Sequence, residues 1–354
     1  MSRFIHRMRL PREIIVGKGS LEFIGSICKS LGFIKSALLV TGETTFEISG
    51  KKVKEILKSE GLKVWEHIVT SNTPTINEIK VCEEKIRKLK PQVVLGIGGG
   101  TKIDIAKLSS ANQGIPFISV PTTASHDGLS SPFASIKGLG KPYSIMAQSP
   151  IAVVADTEII GRSPYRFIAS GCGDVIAKLT SVRDWQLAHE RMNEYYAQYT
   201  ASMSLMSAHH LIENSHLIRP NSEEGLRVLL ESLISCGIAM GIAGSSRPCS
   251  GSEHLFSHAL DLIAPKPALH GEQCGIGTIM MAFLHGLDWE MIRDSLRRMG
   301  APVTAEEIGI EPKFIVEALV IAPKIRPERY TILHEKPLTH EKALTLAKET
   351  GVIG

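Results

Sequence analysis

The sequence predicts an α/β half with a parallel sheet, followed by an all-helical half. Two observations carry that prediction. Through residues 36–160, short β-rich runs alternate with segments of helical periodicity. From about residue 163 the strand signal almost vanishes and long helical patterns take over. At 354 residues the chain is long enough for two domains, and we divide it into 1–162 (α/β) and 163–354 (helical).

The strands are expected at "SALLVTG" (36–42), "LKVWEHIV" (62–69), "PQVVLGIGGG" (91–100), "IPFISVPTT" (115–123) and "IAVVADTEI" (151–159). Between the first four lie three helical segments. "SGKKVKEILKSEG" spaces Val53, Ile56 and Leu57 on one face, and "TINEIKVCEEKIRKLK" does the same with Ile76, Ile79, Ile86 and Leu89. "TKIDIAKLSSANQG" follows a glycine cluster. Strand and helix in strict alternation imply parallel strands covered on both faces, and Thr73-Pro74 and Lys90-Pro91 mark plausible boundaries. Ser163-Pro164 is a helix start with proline at the first helical position. Helical patterns then cover 166–190, 193–216, 222–243, 251–264, 271–285, 289–299 and 338–350.

Composition narrows the function. With 43% hydrophobic and 21% charged residues, the chain is ordinary for a globular protein. A net charge of +4, with both signs mixed and no basic tail, argues against nucleic acid and suits a small anionic substrate. The N-terminus has no apolar core of signal-peptide length, and no apolar run reaches bilayer length. The expectation is a cytoplasmic chain without a transmembrane segment. Cys28, Cys82, Cys172, Cys236, Cys249 and Cys274 form no C-x-x-C pair, so free, mostly buried thiols are expected. Cys172 stands out, two residues before Asp174.

Three stretches carry chemistry. In "VVLGIGGGTKIDIAK", Gly96, Gly98, Gly99 and Gly100 follow a strand and open a helix. Four glycines in five positions exceed what a turn requires. They let backbone approach a phosphate at a helix N-terminus, with Thr101 placed to cap and Lys102 adding charge. The spacing is neither G-x-G-x-x-G nor a P-loop, so the loop indicates phosphate without naming the nucleotide. "SVPTTASHDGLSSPFAS" collects Thr122, Thr123, Ser125, His126, Asp127, Ser130 and Ser131 after the next strand. Ligands of open α/β sheets bind beyond the carboxyl ends of the strands, so the two loops should line one cleft.

The third constellation suits a metal. Asp174 follows Gly-Cys-Gly and opens a helical pattern, a place where a carboxylate can simply complement the helix dipole. His254, His258 and His270 gather within "SGSEHLFSHALDLIAPKPALHGEQ". One aspartate and two of these histidines would make a three-ligand site with an open position, as in catalytic zinc. Residue 255 is Leu, so there is no H-E-x-x-H motif. Glu253, Asp261 and Glu272 are placed to orient the imidazoles. His209, His210 and His216 also cluster, but no carboxylate pattern accompanies them and they read as structural or surface residues.

"GGGTKID", "PTTASHDGLSSPFASI", "SGCGDVIAKLTSVRDW", "SGSEHLFSHALD" and "HGEQCGIGT" together resemble the glycerol-1-phosphate dehydrogenase family. That family lies within the superfamily of iron-containing alcohol dehydrogenases, glycerol dehydrogenases and dehydroquinate synthases. The resemblance runs from about residue 10 to about 300. It implies a dehydroquinate synthase-like fold, with a nucleotide-binding half, a metal-binding helical half and the active site between them. It implies one Zn2+ per subunit on Asp174, His254 and His270. His258 and Asp127 become the catalytic candidates and, with Asp174, contact substrate. Gly98, Gly99, Gly100, Thr101 and Lys102, with Thr122, Thr123, Ser125 and Ser131, would hold NADPH or NADH. The implied reaction reduces dihydroxyacetone phosphate to sn-glycerol 1-phosphate, the backbone of archaeal ether phospholipids, in a homo-oligomer. A glycerol dehydrogenase acting on unphosphorylated polyols is the nearest alternative, and a dehydroquinate synthase-like lyase the next. Lys178, Arg183, Arg247 and Lys266 are the basic candidates for a phosphate pocket. Glu43 favours a ribose 2′-hydroxyl, while Thr44, Thr45, Lys51 and Lys52 could receive a 2′-phosphate.

Overall fold

The computed structural model describes residues 6, 8–137 and 143–354. The N-terminal reading therefore falls partly on residues 1–5 and 7, outside the described residues. The strands are β1 (Glu13–Gly17), β2 (Ser36–Thr41), β3 (Lys63–Ile68), β4 (Val93–Gly98), β5 (Phe117–Pro121), β6 (Phe133–Ile136), β7 (Tyr143–Met146) and β8 (Ala152–Asp156). Six of them form one sheet in the order β1-β8-β5-β4-β2-β3, parallel throughout. Every residue of β2, β4, β5 and β8 is buried. A sheet covered on both faces needs apolar residues at both pleat positions, which is why these strands read as continuous runs. Alternate residues serve different cores. Ala37, Leu39, Val93 and Leu95 face a small cluster with Leu21, Val53 and Leu57. Leu38, Val40, Val94 and Phe117 face a large one that continues into the helical half through Leu233, Phe256 and Ile279.

The chain leaves β2 for β3 on one side and returns to β4 on the other. The order reverses there, so a crevice opens at the carboxyl ends of β2 and β4. All five expected strands form. β1 and the antiparallel β6–β7 hairpin were not expected; each is only four or five residues long and is fixed by its partner strand rather than by its own pattern.

In the helical half, the pattern at 166–190 becomes two helices, Tyr165–Ile176 and Lys178–Met192, interrupted at Ala177. The helices Gln198–Glu213, Glu223–Ala243, Ser252–Ile263, His270–His285, Trp289–Arg298 and His340–Glu349 follow the expected pattern. Pro312–Ile325 is an addition. Its Pro312 sits in the first turn, where a missing N–H costs nothing. It packs against Ser252–Ile263.

One expectation needs correcting. Glu223–Ala243 has 21 residues and a mean hydropathy of 1.7 over an 18-residue window, enough by length and composition to cross a membrane. Arg227 and Glu231 interrupt its apolar run but pair with each other at 2.8 Å. About 67% of the window is buried inside the protein, so its apolar surface is taken up by the core. The cysteines are free and buried, as expected.

Candidate active site

A cavity of about 860 Å³ lies beyond the carboxyl ends of β2, β4 and β5 and is closed on its other side by the helical half. Gly99, Gly100, Thr101, Lys102, Thr122, Thr123, Ser125, Asp127 and Ser131 line it. So do His254, His258 and His270.

The four glycines turn out to have separate reasons. A Cβ at Gly96 would stand 2.8 Å from Phe117 and 2.9 Å from Ala106, so that glycine lets helix meet sheet. Gly98 has φ +150°, a conformation that side chains oppose. At Gly100 a Cβ would fall 2.1 Å from His126 Nε2, and at Gly128 one would fall 2.4 Å from the same ring. Two glycines thus make room for an imidazole. Gly99 alone meets neither constraint: it is extended, its Cβ would meet only Thr123 Oγ1 at 3.3 Å, and it caps the helix Gly100–Asn112. Thr101 does not cap, because the helix begins before it; its hydroxyl donates to the Asn72 carbonyl at 3.1 Å. Lys102 Nζ donates to the Ser71 carbonyl at 2.8 Å. Thr122 N–H donates to the Gly98 carbonyl at 3.0 Å, tying the two loops together.

Asp174 is not at a helix start. It lies near the end of Tyr165–Ile176, wholly buried, so dipole complementarity does not explain it. Its Oδ2 accepts the Asp127 N–H at 2.8 Å. Its Oδ1 accepts Lys178 Nζ at 3.0 Å, and the same ammonium lies 2.8 Å from Asp127 Oδ2. Burial would raise both carboxyls. At Asp174, Lys178 and a hydrogen bond from His254 overcome it and hold the group well below the carboxylate range. At Asp127, burial and the charge of Asp174 win and push the group up.

The imidazoles converge on this carboxylate. His254 Nε2 is 3.6 Å from Asp174 Oδ1, and its Nδ1 is 2.7 Å from Glu253 Oε1. Glu253 is itself held by Thr180 Oγ1 at 2.8 Å and by the Gly251 N–H at 2.6 Å. His270 opens the helix His270–His285, as expected. Its Nδ1 is 3.2 Å from Ser257 Oγ, which also accepts Gln273 Nε2 at 3.0 Å. The His254 and His270 ring centroids are 4.9 Å apart. Cys274, one turn on from His270, was not foreseen: donor atoms of His254, His270 and Cys274 lie within 4.8 Å of one another. Two imidazole nitrogens beside a buried carboxylate are a donor set that zinc accepts.

His258 behaves differently. Its ring stacks 6.1 Å from His270, and its buried Nδ1 has no hydrogen-bond partner among the described residues. Burial first, then the charges of His270, Arg326, His254 and Arg329, hold it well below the usual imidazole range. It is a neutral ring facing the cavity.

Several expected partners are engaged elsewhere. Asp261 pairs with Lys137 at 3.2 Å. Glu272 takes a two-pronged contact from Arg166, at 2.5 and 2.7 Å. Only Glu253, of the three carboxylates, touches one of the clustered imidazoles. Of the basic candidates, Lys178 is engaged by Asp127 and Asp174. Arg247 is held by Glu194, with Nε–Oε1 at 2.7 Å. Arg183 and Lys266 are exposed, and none of the four lines the cavity. His209, His210 and His216 are exposed.

A glycine loop at a sheet crevice thus faces a carboxylate–imidazole cluster on helices, and residues 15–164 match the family model of the iron-containing alcohol dehydrogenases. Among solved structures, glycerol dehydrogenase from Schizosaccharomyces pombe has the same fold, with a TM-score of 0.81 at 19% identity over 98% of this chain and 90% of that one. Sulfoacetaldehyde reductase from Bifidobacterium kashiwanohense, in complex with NAD+, gives 0.72 at 19% over 99% and 100%. Relatives in sequence narrow the class. The chain is 52% identical to the glycerol-1-phosphate dehydrogenase, NAD(P)+, of Pyrococcus furiosus, over 99% of this chain and all of that protein. It is 52% identical to that of Methanothermobacter thermautotrophicus over 98% and 99%. The chain belongs to the glycerol-1-phosphate dehydrogenase family.

Proposed function

We propose that this protein reduces dihydroxyacetone phosphate to sn-glycerol 1-phosphate, the backbone of archaeal ether phospholipids, with NADH or NADPH and one zinc ion per subunit. The observation that carries the reading is the single cavity holding both the glycine loop and the imidazole cluster, in a chain of this family. Asp174, His254 and His270 would hold the zinc. Bound there, zinc supplies Lewis acidity toward a carbonyl oxygen, and the reduced nicotinamide supplies hydride.

The residues of the chain do the positioning. Glu253 fixes the ring orientation of His254, leaving Nε2 for the ion. Lys178 compensates the charge of Asp174 and ties it to Asp127. His258, neutral and with Nδ1 unpartnered, hydrogen-bonds a substrate oxygen and moves the proton that completes the alcohol. Asp127, bonded through its N–H to Asp174, contacts substrate beside it. Gly98, Gly99, Gly100, Thr101 and Lys102 hold the dinucleotide with Thr122, Thr123, Ser125 and Ser131. Beyond β2, Glu43, Glu47 and Glu66 line a side pocket, while Lys51 pairs with Glu47 and Lys52 with Glu22. That charge pattern suits a ribose 2′-hydroxyl, so NADH is accepted at least as well as NADPH. The reading places a homo-oligomeric enzyme in the cytoplasm, with two halves meeting near residue 162.

The test is oxidation of NADH and NADPH with dihydroxyacetone phosphate and with dihydroxyacetone, before chelation, after it, and after zinc is restored. Zinc-dependent turnover favouring the phosphorylated ketone is the expected result. Preference for dihydroxyacetone would replace this reading with a glycerol dehydrogenase.

A further inference from the structure

None of Lys178, Arg183, Arg247 and Lys266 lines the cavity, yet a phosphorylated substrate needs a cationic site there. The phosphorus of dihydroxyacetone phosphate lies three bonds from the carbonyl carbon. Its site must therefore lie close to His258 and the clustered imidazoles.

Of the ammonium and guanidinium groups that line the cavity, Lys137 pairs with Asp261 and Arg162 with Glu158, while Lys102, which donates to the Ser71 carbonyl, belongs to the proposed cofactor loop. Two guanidiniums just outside it, those of Arg326 and Arg329, have no carboxylate contact among the described residues. The helix Pro312–Ile325 packs along the helix that carries His254 and His258, and the chain leaves it at Arg326. Arg329 follows three residues later. Arg329 Nη1 donates to the Ser250 carbonyl at 2.5 Å, and its Nη2 donates to Ser246 Oγ at 2.7 Å. Ser246 and Ser250 line the cavity wall beside His258. The guanidinium of Arg326 is half-buried, and among the described residues it has no hydrogen bond or ion pair.

Arg247 adjoins them, and its contact with Glu194 is the one direct carboxylate contact of the three arginines. Such an excess of partly buried positive charge is costly unless an anion offsets it. Its cost is visible at Arg329, where burial, Arg247 and Arg326 bring the group down to about 9. Guanidiniums match phosphate oxygens in geometry as well as charge.

We propose that Arg326 and Arg329, beside Ser246 and Ser250, form the site that receives the phosphate of the substrate. The inference deepens the proposed function and rests on it. The segment after residue 300 then brings specificity for a phosphorylated ketone to the wall of the cavity.

The experiment compares Arg326→Ala and Arg329→Lys with the wild type on dihydroxyacetone phosphate and dihydroxyacetone. The ratio of the two kcat/KM values is the readout. Loss of a hydrogen bond to a charged partner predicts a fall in that ratio of roughly 10- to 150-fold for Arg326→Ala. Guanidinium ion in the assay should restore part of it. Phosphite dianion added with dihydroxyacetone should activate the wild type but not Arg326→Ala. Arg183→Ala, exposed and outside the cavity, should leave the ratio unchanged. Equal losses on both ketones, or an intact ratio in both variants, would overturn the proposal. A wild type without preference for the phosphorylated ketone would instead overturn the function proposed above. Calorimetric binding of inorganic phosphate then decides the site by itself: weaker binding in Arg326→Ala supports it and unchanged binding sinks it.

Discussion

At the scale of single residues, one helix presents two imidazoles to one cavity in different states. His254 is oriented by Glu253 and faces Asp174, whereas His258 has an unpartnered Nδ1 and a neutral ring. The difference predicts separable losses. His258→Ala should lower kcat by roughly 10²- to 10⁴-fold, the usual contribution of a positioned acid or base, while metal analysis still finds one zinc per chain. His254→Ala should lose zinc itself. Zinc missing from the His258 variant would collapse the distinction. The sequence brought His254, His258, His270 and Asp174 forward because their types and crowding are unusual. It could not reveal Cys274, whose place beside His270 follows only once residues 270 and 274 share a helical face. Nor could it reveal Arg326 and Arg329, which lie some 70 residues from the histidines in a stretch without a motif.

At the scale of elements, close approach explains where glycine is required. The helices Tyr165–Ile176 and His270–His285, which carry Asp174 and His270, cross at Gly173 and Gly271. A Cβ at Gly271 would stand 1.8 Å from the Ser170 carbonyl oxygen, and one at Gly173 would stand 2.1 Å from the Gly271 carbonyl oxygen. Neither obstacle is a flexible side chain, so the helices themselves must separate. Gly271→Ala should therefore cost at least about 1–3 kcal/mol of stability, the usual range for overpacking, and weaken zinc binding as well. Gly99→Ala is the counterpart, with an extended backbone and only Thr123 Oγ1 nearby. Its melting temperature should stay near that of the wild type while the KM for NADH rises at least tenfold. A normal KM would show that the cofactor phosphates do not approach Gly99. The central strands were legible because burial on both faces leaves long apolar runs. The role of each glycine was not, because a cluster that suggests phosphate also arises where His126 needs room.

At the scale of the whole molecule, the switch from alternating strands and helices to helices alone was plain in the sequence, but the way the two halves join was not. The large apolar cluster runs from Leu38 and Val94 in the sheet through Leu129 and Ala134 to Leu229 and Ile279 in the helices. The apolar helix Glu223–Ala243 packs beside the loop that carries Asp127, where a Cβ at Gly237 would stand 2.0 Å from Ser130 Oγ. A core shared across residue 162 implies that the halves lose structure together. The proposed zinc ligands come from three helices, Tyr165–Ile176, Ser252–Ile263 and His270–His285, so the unfolded chain cannot bring them together. Zinc then stabilises by mass action, by about 2.7 kcal/mol at a hundredfold excess over its Kd. For a chain of this size that corresponds to a rise of roughly 2–4 °C in melting temperature. Calorimetry should show one transition, moved upward as a unit by zinc and returned by chelation. Two transitions, with only one moved by zinc, would mean that the α/β half stands by itself and that the shared core does not couple the glycine loop to the helices of the proposed zinc ligands.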